Sequence, residues 1–249
     1  MEAKEEKQEF SLNSLLESLT PEQRDQFADQ VAEVVRKNMY PLKPTKLELM
    51  LTERCNLRCD YCFLGAHGAQ RDMTPEMAEK GIDYFLANAP TNDATLSIVH
   101  FGGEPLLNIP LMKHVMDYAR KNAREGQTVT FQCTSNGTLI DDEVASFVAQ
   151  YGVPILLSLG GRKAMHDKHR KFADGSPTFD KVMEGMQILR KYQPWIGSRI
   201  TYTEETVHDL AEGVKWLNQN GICQFVIGSA NGEKGWSEET LQEMERQWQ

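Results

Sequence analysis

Three cysteines stand close together in the sequence and could bind one inorganic centre. Cys55, Cys59 and Cys62 lie in the run Cys-Asn-Leu-Arg-Cys-Asp-Tyr-Cys. Cysteine thiolates are the usual ligands of iron–sulfur clusters, and soft sulfur ligands also suit zinc. A structural zinc site takes four protein ligands and a four-iron cluster normally takes four cysteines, whereas this loop offers only three. One metal position would therefore stay open, which indicates a catalytic centre.

A glycine pair followed by an acid forms a second candidate motif. Gly102, Gly103 and Glu104 lie in the run Phe-Gly-Gly-Glu-Pro-Leu that begins at Phe101. Glycine has no Cβ, so it suits a place where the backbone must come close to a ligand. The carboxylate of Glu104 would then offer a hydrogen-bond acceptor at the same place.

Together, the two motifs resemble those of the radical S-adenosylmethionine (radical SAM) enzymes. The resemblance rests on the C-x3-C-x2-C spacing, on Asn56 and Tyr61 within it, and on the GGEP motif at the expected distance. It implies a [4Fe–4S] cluster held by Cys55, Cys59 and Cys62, with the fourth iron chelated by the amino and carboxylate groups of SAM. In the family, an electron from the cluster splits SAM into methionine and a 5′-deoxyadenosyl radical, which takes a hydrogen atom from the substrate.

The resemblance also implies which residues contact SAM. Tyr61 and the backbone of Phe63 would lie against the adenine, and Glu104 would accept a hydrogen bond from the ammonium group. The two glycines before Glu104 would let the backbone approach the cofactor. Asn136, together with Gly137, resembles the T-N-G turn of the family, which implies a further contact with the cofactor.

A third stretch resembles the sulfatase maturases and peptide-modifying members of the family. Their S-x-D-G…H-D…R pattern is matched from Ser158 to Arg170, and these two residues would hold the SAM carboxylate. A guanidinium can meet a carboxylate with two parallel hydrogen bonds, which suits arginine to this role. The sequence departs from the pattern at Gly160, where the family has aspartate. His166 and Asp167 are expected to hold the loop rather than to act in catalysis.

From Lys46 onward, strand-like and helix-like stretches alternate six times. Strands are predicted at residues 47–52, 96–101, 128–134, 154–159, 198–203 and 223–227. Helices are predicted at residues 75–89, 111–124, 141–150, 178–191, 206–220 and 237–249. This order predicts an α/β fold with a parallel sheet, and the count matches the partial (β/α)6 TIM-like barrel of the radical SAM family. Both motifs follow strands, so they would lie at the carboxyl edge, where such barrels carry their working residues.

Residues 1–45 are predicted to form a short N-terminal helical extension, and residues 46–249 the radical SAM core. Leu12, Leu15, Leu16 and Leu19 share one face of a first helix. Thr20-Pro21 and Gln23 predict the start of a second helix with a capping box. The sequence stops in a helix-like run, without the cysteine-rich SPASM or twitch domain that many relatives carry. A core-only enzyme and a fragment are both open, and we favour the fragment.

Composition and charge restrict the function classes. The chain has 249 residues, 40% of them hydrophobic, and a net charge of −9 without any basic run, which argues against a nucleic-acid partner. The sequence contains no stretch of about 18 apolar residues, so it predicts no membrane span. Five cysteines, three of them clustered, fit a metal site in a reducing cytoplasm better than a disulfide framework. Cys133 and Cys223 are expected to be buried in strands, and His67 is a disfavoured fourth ligand.

The sequence thus predicts a radical SAM enzyme that acts on a protein or peptide side chain, in the manner of the sulfatase maturases. A flavodoxin- or ferredoxin-type protein would supply the electron. Two alternatives stay open: a radical SAM enzyme that acts on a small molecule or activates a glycyl-radical enzyme, and a non-catalytic metal-binding module. No residue is assigned as a catalytic acid or base.

Overall fold

The computed structural model describes residues 19–39, 43–64, 70–230 and 236–249. Two parts of the sequence interpretation lie outside these ranges, namely the predicted first helix, apart from Leu19, and His67. No helix within the described ranges has the length and apolar character needed to cross a membrane.

Six strands form one parallel sheet in which each strand pairs with the next along the chain. They are β1 (Lys46–Thr52), β2 (Ala94–Gly102), β3 (Gln127–Ser135), β4 (Ile155–Leu157), β5 (Gly197–Tyr202) and β6 (Gln224–Ser229). All five pairings are parallel. The first and last of these strands are the two edges of the sheet, so the described strands form a half-barrel. This confirms the predicted partial (β/α)6 TIM-like barrel.

Helices that connect or follow the strands supply one side of the core. They are α2 (Pro75–Asn88), α3 (Ile109–Asn122), α4 (Asp142–Gln150), α5 (Lys163–His169), α6 (Phe179–Leu189), α7 (Leu210–Gln219) and α8 (Glu238–Trp248), and a further helix, α1 (Pro21–Met39), precedes β1. Side chains before several of them accept a backbone N–H at the first turn, which stabilises the helix start: Thr74, Asn108, Asp141 and Ser237. Fully buried residues from both layers form the core, among them Leu51, Ile82, Ile98, Met112, Phe131, Ile155, Met186 and Ile200.

The face of the sheet that points away from this core is called the inner face below. Successive side chains along a strand point to opposite faces, so the residues between the core positions lie on it. They include Glu48, Met50, Val99, Phe101, Gln132, Thr134, Leu156, Arg199, Thr201, Val226 and Gly228. Most of these side chains are exposed or half-buried, and several are polar. The inner face is therefore an accessible surface in the described part of the chain.

The structure differs from the sequence interpretation mainly after β3. Strand β4 has three residues instead of the predicted six, because the N–H of Leu159 turns back to the C=O of Leu157 at 2.9 Å. Helix α5 was not predicted, since seven residues carry too little apolar periodicity to reveal a helix. Cys133 is buried in β3 as expected. The prediction for Cys223 is wrong: this cysteine precedes β6 and is exposed.

Helix α1 belongs to a unit of the chain separate from the one that begins at Pro44. Its start has the predicted capping box. The Thr20 hydroxyl accepts from the N–H of Gln23 at 3.3 Å, and the Gln23 side chain accepts from the N–H of Thr20 at 2.9 Å. These two bonds satisfy N–H groups that have no partner inside the helix.

Candidate functional site

The three predicted cysteine ligands lie on the loop that leaves β1, at the carboxyl edge of the sheet. Cys55, Cys59 and Cys62 are free and half-buried. The N–H of Cys62 donates to the C=O of Cys59 at 3.1 Å, and the Arg58 guanidinium donates to the C=O of Cys55 at 2.8 Å. Burial raises the pKa of the Cys55 thiol to about 11 and also raises that of Cys59. Metal binding would displace these thiol protons.

Three cysteines on one loop could serve a single metal ion or a cluster. Within the described ranges, no three His, Cys, Asp or Glu side chains are arranged to hold a single metal ion. A mononuclear zinc site would bring its thiolates to about 2.3 Å from one metal. In a four-iron cluster each thiolate binds a different iron, so the sulfur atoms stay further apart. The [4Fe–4S] cluster stays a prediction.

Side-chain amides tie the cysteine loop to the turn after β3. Asn56 donates to the Thr138 hydroxyl at 2.8 Å and accepts from Asn136 Nδ2 at 2.8 Å. The same Nδ2 lies 3.8 Å from Cys55 Sγ, and the Asn136 side-chain oxygen accepts two hydrogen bonds from Thr138. Asn136 is therefore fixed against a cysteine. Its contact with SAM stays a prediction.

Gly102 and Gly103 bring the end of β2 against the chain that leaves β1. The N–H of Gly103 donates to the C=O of Thr52 at 2.8 Å. A Cβ added at Gly102 would lie 2.3 Å from the Thr52 oxygen, and one at Gly103 would lie 2.2 Å from the Arg54 oxygen. The sequence interpretation explained these glycines by the approach of a ligand, but what they approach in the described structure is the backbone before the cysteine loop. Their contact with SAM stays a prediction.

Glu104 is a fully buried acid with three hydrogen-bond donors around it. One carboxylate oxygen accepts from the Ser135 hydroxyl at 2.9 Å and from the N–H of Leu106 at 3.1 Å. The other accepts from the N–H of Asn136 at 2.7 Å. Burial raises the pKa of Glu104 to about 7, although these hydrogen bonds favour the anion. A cation bound beside this carboxyl would favour its ionised form.

Arg170 is a buried guanidinium that faces the cysteine loop. Its central carbon lies 5.5 Å from the centre of the Tyr61 ring, and its Nε has no hydrogen-bond partner among the described residues. Burial by itself would lower the pKa of Arg170, but the interactions with Tyr61 and the three cysteines outweigh burial and raise it. Burial raises the pKa of Tyr61 to about 12. A buried cation with an unsatisfied donor is suited to an anionic ligand.

His169 links the cysteine loop to the fifth strand. Its Nδ1 lies 2.9 Å from Asp60 Oδ1, and its Nε2 lies 2.9 Å from the Thr203 hydroxyl. Asp60 follows Cys59 in the sequence, and Thr203 follows β5. The imidazole also lies against Tyr61, with 5.4 Å between ring centroids. A buried histidine therefore connects two edges of the site.

The loop after β4 is held by the residues that the sequence interpretation assigned to it. His166 Nδ1 accepts from the N–H of Gly160 at 3.2 Å, and its Nε2 lies 2.9 Å from the Thr178 hydroxyl. That hydroxyl donates to the C=O of Arg170 at 2.9 Å. Asp167 accepts from the N–H groups of Thr178 and Phe179 at the start of α6.

Ser158 and Phe63 lie at the same edge of the sheet. The N–H of Ser158 donates to the C=O of Ser135 at 2.8 Å, which places the serine beside the end of β3. The Phe63 side chain is 57% exposed and stacks on Phe101, with 6.1 Å between the ring centroids. The predicted contacts of Ser158 with the SAM carboxylate, and of Phe63 and Tyr61 with the adenine, stay predictions.

Four polar residues that hold the site were missed in the sequence: Asp60, Ser135, Thr138 and His169. Each lies within two residues of a predicted site residue, which was the available signal. Their partners lie between 31 and 109 positions away along the chain, so no local pattern could pair them. The spacing of a motif identifies candidate ligands, but it does not identify the residues whose contacts hold those ligands in place.

The donor set fits a [4Fe–4S] cluster with an amino-acid group bound beside it. Three thiols would ligate three irons, and the buried carboxyl of Glu104 suits an ammonium group. The unsatisfied guanidinium of Arg170 suits a carboxylate. Glu104 and Arg170 both interact electrostatically with cysteines of this loop.

Comparison with known proteins gives matches along most of the chain. The family model of the radical SAM superfamily matches residues 49–217. An uncharacterized protein of Methanocaldococcus jannaschii is 31% identical over 176 residues, which are 71% of this chain and 59% of that protein. The cysteine-type anaerobic sulfatase-maturating enzyme of Clostridium perfringens strain 13 is 31% identical over 181 residues, which are 69% of this chain and 48% of that enzyme.

A solved structure, native anSMEcpe with bound AdoMet and Kp18Cys peptide, has the same fold. Its TM-score is 0.71 at 24% sequence identity, over 81% of this chain and 58% of that one. This chain spans about half the length of the curated relatives that it matches. The matched family region contains the three cysteines, the GGEP motif and Arg170. The chain therefore belongs to the radical SAM superfamily.

Proposed function

We propose that this chain is the core of a radical SAM enzyme that cleaves SAM reductively and takes hydrogen from a protein or peptide side chain. One observation carries the proposal: a three-thiol loop, a buried acid and an unsatisfied buried guanidinium are joined in one site. When bound, the reduced cluster would supply one electron that breaks a carbon–sulfur bond of SAM and so generates the hydrogen-abstracting radical.

The residues of the chain would bind and orient SAM. Cys55, Cys59 and Cys62 would ligate three irons and leave the fourth to the amino and carboxylate groups of SAM. Glu104, fixed by its hydrogen bonds, would accept from an N–H of the amino group, and Arg170 would pair with the carboxylate. Orientation of this kind lowers the barrier because the reacting groups are already in place.

Four further groups would complete the SAM site. Ser158 would add a hydrogen bond to the carboxylate, Asn136 would fix the loop beside Cys55, and Tyr61 and the backbone of Phe63 would contact the adenine. The glycine pair before Glu104 would keep the backbone close to the cofactor. The buried surroundings of Tyr61 and Arg170 would exclude water from this part of the site.

A peptide substrate and an external electron donor complete the proposal. The anaerobic sulfatase-maturating enzyme of Clostridium perfringens is among the relatives, and the anSMEcpe structure described above contains a bound peptide. A flavodoxin- or ferredoxin-type protein in the cytoplasm would deliver the electron. A small-molecule substrate, or a glycyl-radical enzyme as partner, is the alternative within the same chemistry.

The test compares two cysteine variants after anaerobic cluster reconstitution. Iron per chain and release of 5′-deoxyadenosine from SAM with dithionite would be measured for the parent, Cys59→Ala and Cys223→Ala. We expect about four irons and SAM cleavage in the parent. Cys59→Ala should lose both, whereas Cys223→Ala should keep both because Cys223 is exposed and outside the loop. Zinc in place of iron, or SAM cleavage that survives Cys59→Ala, would contradict the proposal.

A further inference from the structure

Arg199 is a charged side chain on the inner face of the half-barrel. Its neighbours on β5, Ser198 and Ile200, are fully buried against the core, whereas Arg199 is exposed. Since side chains alternate along a strand, Arg199 points to the inner face. The strand places it beside Val226 of β6, its partner in the parallel register.

The guanidinium of Arg199 extends towards the carboxyl edge of the sheet. A Cβ added at Gly228 would lie 3.7 Å from Arg199 Nη2. Gly228 pairs with Thr201, two residues further along β5 than Arg199 itself. The arginine therefore lies along the strand in the direction of the edge that carries the cysteine loop and Glu104. Because Gly228 has no side chain, there is space next to the guanidinium nitrogen atoms of Arg199.

Arg199 has no hydrogen-bond or ion-pair partner among the described residues. The described strands carry only two other lysine, arginine or acidic side chains, Lys46 and Glu48, both at the amino end of β1. In the register of the sheet, Glu48 pairs with Val99 on β2, so it lies on the far side of β3 and β4 from Arg199. An arginine with five N–H donors thus faces the inner surface without a counter-charge on the strands.

We propose that Arg199 binds a carboxylate of a peptide substrate, from an acidic side chain or from the C-terminus. The inference rests on the function proposed above, because the inner face is the surface next to the SAM site. A planar guanidinium matches a carboxylate with two parallel hydrogen bonds. A phosphate ester carries a charge of about −1.5 to −2 at neutral pH, which one guanidinium does not balance. The single cation therefore fits a singly charged carboxylate.

Protection against phenylglyoxal, an arginine-selective reagent, tests this proposal without turnover. The cluster-loaded chain would be modified with and without SAM, and the extent at each arginine read by peptide mass spectrometry. Three probes would be added in turn: N-acetylaspartate N-methylamide, its asparagine analogue, and N-acetylglycine. Exposed Arg246 on α8, which is paired with Glu243, serves as the reference.

We expect the two acids to slow the modification of Arg199 severalfold relative to Arg246, and the asparagine analogue to leave it unchanged. Stronger protection by the aspartate probe would identify an acidic side chain, and stronger protection by N-acetylglycine a terminal carboxylate. Equal rates with all three probes would overturn the proposal. Protection of Arg199 by SAM alone would also overturn it, because the bound carboxylate would then belong to the cofactor.

A pair of variants tests the same geometry within the chain. Gly228→Asp would place a carboxylate beside Arg199, and Gly228→Asn would add the same volume without charge. We expect slow modification of Arg199 in the first variant and fast modification in the second, with no probe added. Equal rates in the two variants would contradict the assignment. Neither readout needs SAM cleavage, so a chain that fails to release 5′-deoxyadenosine would refute the proposed function and leave this result interpretable.

Discussion

At the scale of single residues, the charge of Glu104 depends on what is bound beside it. Its pKa is raised to about 7 by burial, so part of the population is neutral at neutral pH. A hydrogen bond from the amino group of SAM would favour the anion and lower this pKa. Binding would then make Glu104 release a proton below pH 7, and this contribution should lower the affinity for SAM by up to about tenfold per pH unit as the pH falls.

Isothermal titration calorimetry of the cluster-loaded protein between pH 5.5 and about 7.5 would measure this dependence. The α-amino group of SAM, with an ordinary pKa of about 7.7 to 8.0, also loses a proton when it binds iron, and this step is common to the parent and the variant. Glu104→Gln cannot ionise, so it should bind SAM more weakly and keep only the pH dependence of the amino group. A parent protein with the same pH dependence as Glu104→Gln below pH 7 would show that Glu104 does not face the amino group.

The burial of His100 affects the free energy of unfolding. Neither ring nitrogen has a partner among the described residues, and burial lowers its pKa to about 4. The unfolded chain, with the ordinary value, binds more protons between these two pKa values, so His100 reduces stability as the pH falls from about 6.5 to 4. His100→Leu removes this loss and an unsatisfied polar group that costs about 1–3 kcal/mol.

We therefore expect His100→Leu to be at least as stable as the parent at pH 7 and less sensitive to acid. The difference should grow by up to about 1.4 kcal/mol per pH unit. Urea unfolding at a series of pH values would measure it. Burial lowers the pKa of His166 as well, to about 3, but this contribution is the same in both proteins. Parallel stability curves would mean that the His100 ring is hydrated in the folded state.

At the scale of elements, the contact between the end of β2 and the chain after β1 leaves no space for a side chain. A Cβ at Gly103 would lie 2.2 Å from a backbone oxygen of Arg54, which cannot rotate away as a side chain would. At Gly160 the nearest atom would be 3.7 Å away, an ordinary contact. Gly103→Ala should therefore lower the melting temperature and the iron bound after reconstitution, whereas Gly160→Ala should change neither.

Thermal unfolding and iron analysis of the two alanine variants would test this difference. Both variants change glycine to alanine and so have the same effect on the unfolded chain. Equal losses in the two proteins would show that the backbone contact at Gly103 can relax. Because a Cβ fits at Gly160, packing alone does not explain why this sequence lacks the aspartate of the family pattern at that position.

The order of strands and helices could be predicted because it follows from local patterns of apolar residues. Alternating apolar runs located all six strands to within two residues of their ends. The pattern failed where local geometry takes over: β4 ends at a tight turn after Leu157, and the short helix α5 lies inside a motif. Cys223 was misplaced because its strand begins one residue later, at Gln224.

The identity of the site residues could be predicted further than their contacts. Cys55, Glu104 and Arg170 were predicted because motifs fix residue type and spacing. The contacts of Asp60 and His169 could not be found, because they join segments 109 positions apart and depend on how the fold brings them together. The contact of Gly103 with the chain after β1 was not predicted either, since a sequence cannot distinguish close approach to a ligand from close approach to another strand.

At the scale of the whole molecule, the Asp60–His169–Thr203 contacts connect the first and fifth strands of the half-barrel. Asp60→Ala would release the cysteine loop from this connection, and the cluster should lose iron to a chelator faster. Asp142→Ala is a matched control, because its side chain is 60% exposed and that of Asp60 is 62% exposed. It should lose iron at the parental rate.

Iron release would be followed optically under anaerobic conditions with the chelator in excess. Asp60→Asn keeps an acceptor for His169 and should fall between the parent and Asp60→Ala. Equal rates for the parent and Asp60→Ala would show that the other contacts of the loop, among them those of Asn56 and Asn136, hold it without Asp60.

The contact between the GGEP glycines and the chain before the cysteine loop also matters for protein engineering. Transplanting the three cysteines into another parallel barrel would not recreate this centre, because the loop needs a neighbouring strand that ends without side chains. The portable unit is a set of three segments, Thr52–Cys62, Gly102–Glu104 and Ser135–Thr138, grafted together onto adjacent strands. A host barrel with a bulky residue at either glycine would have to be changed there first.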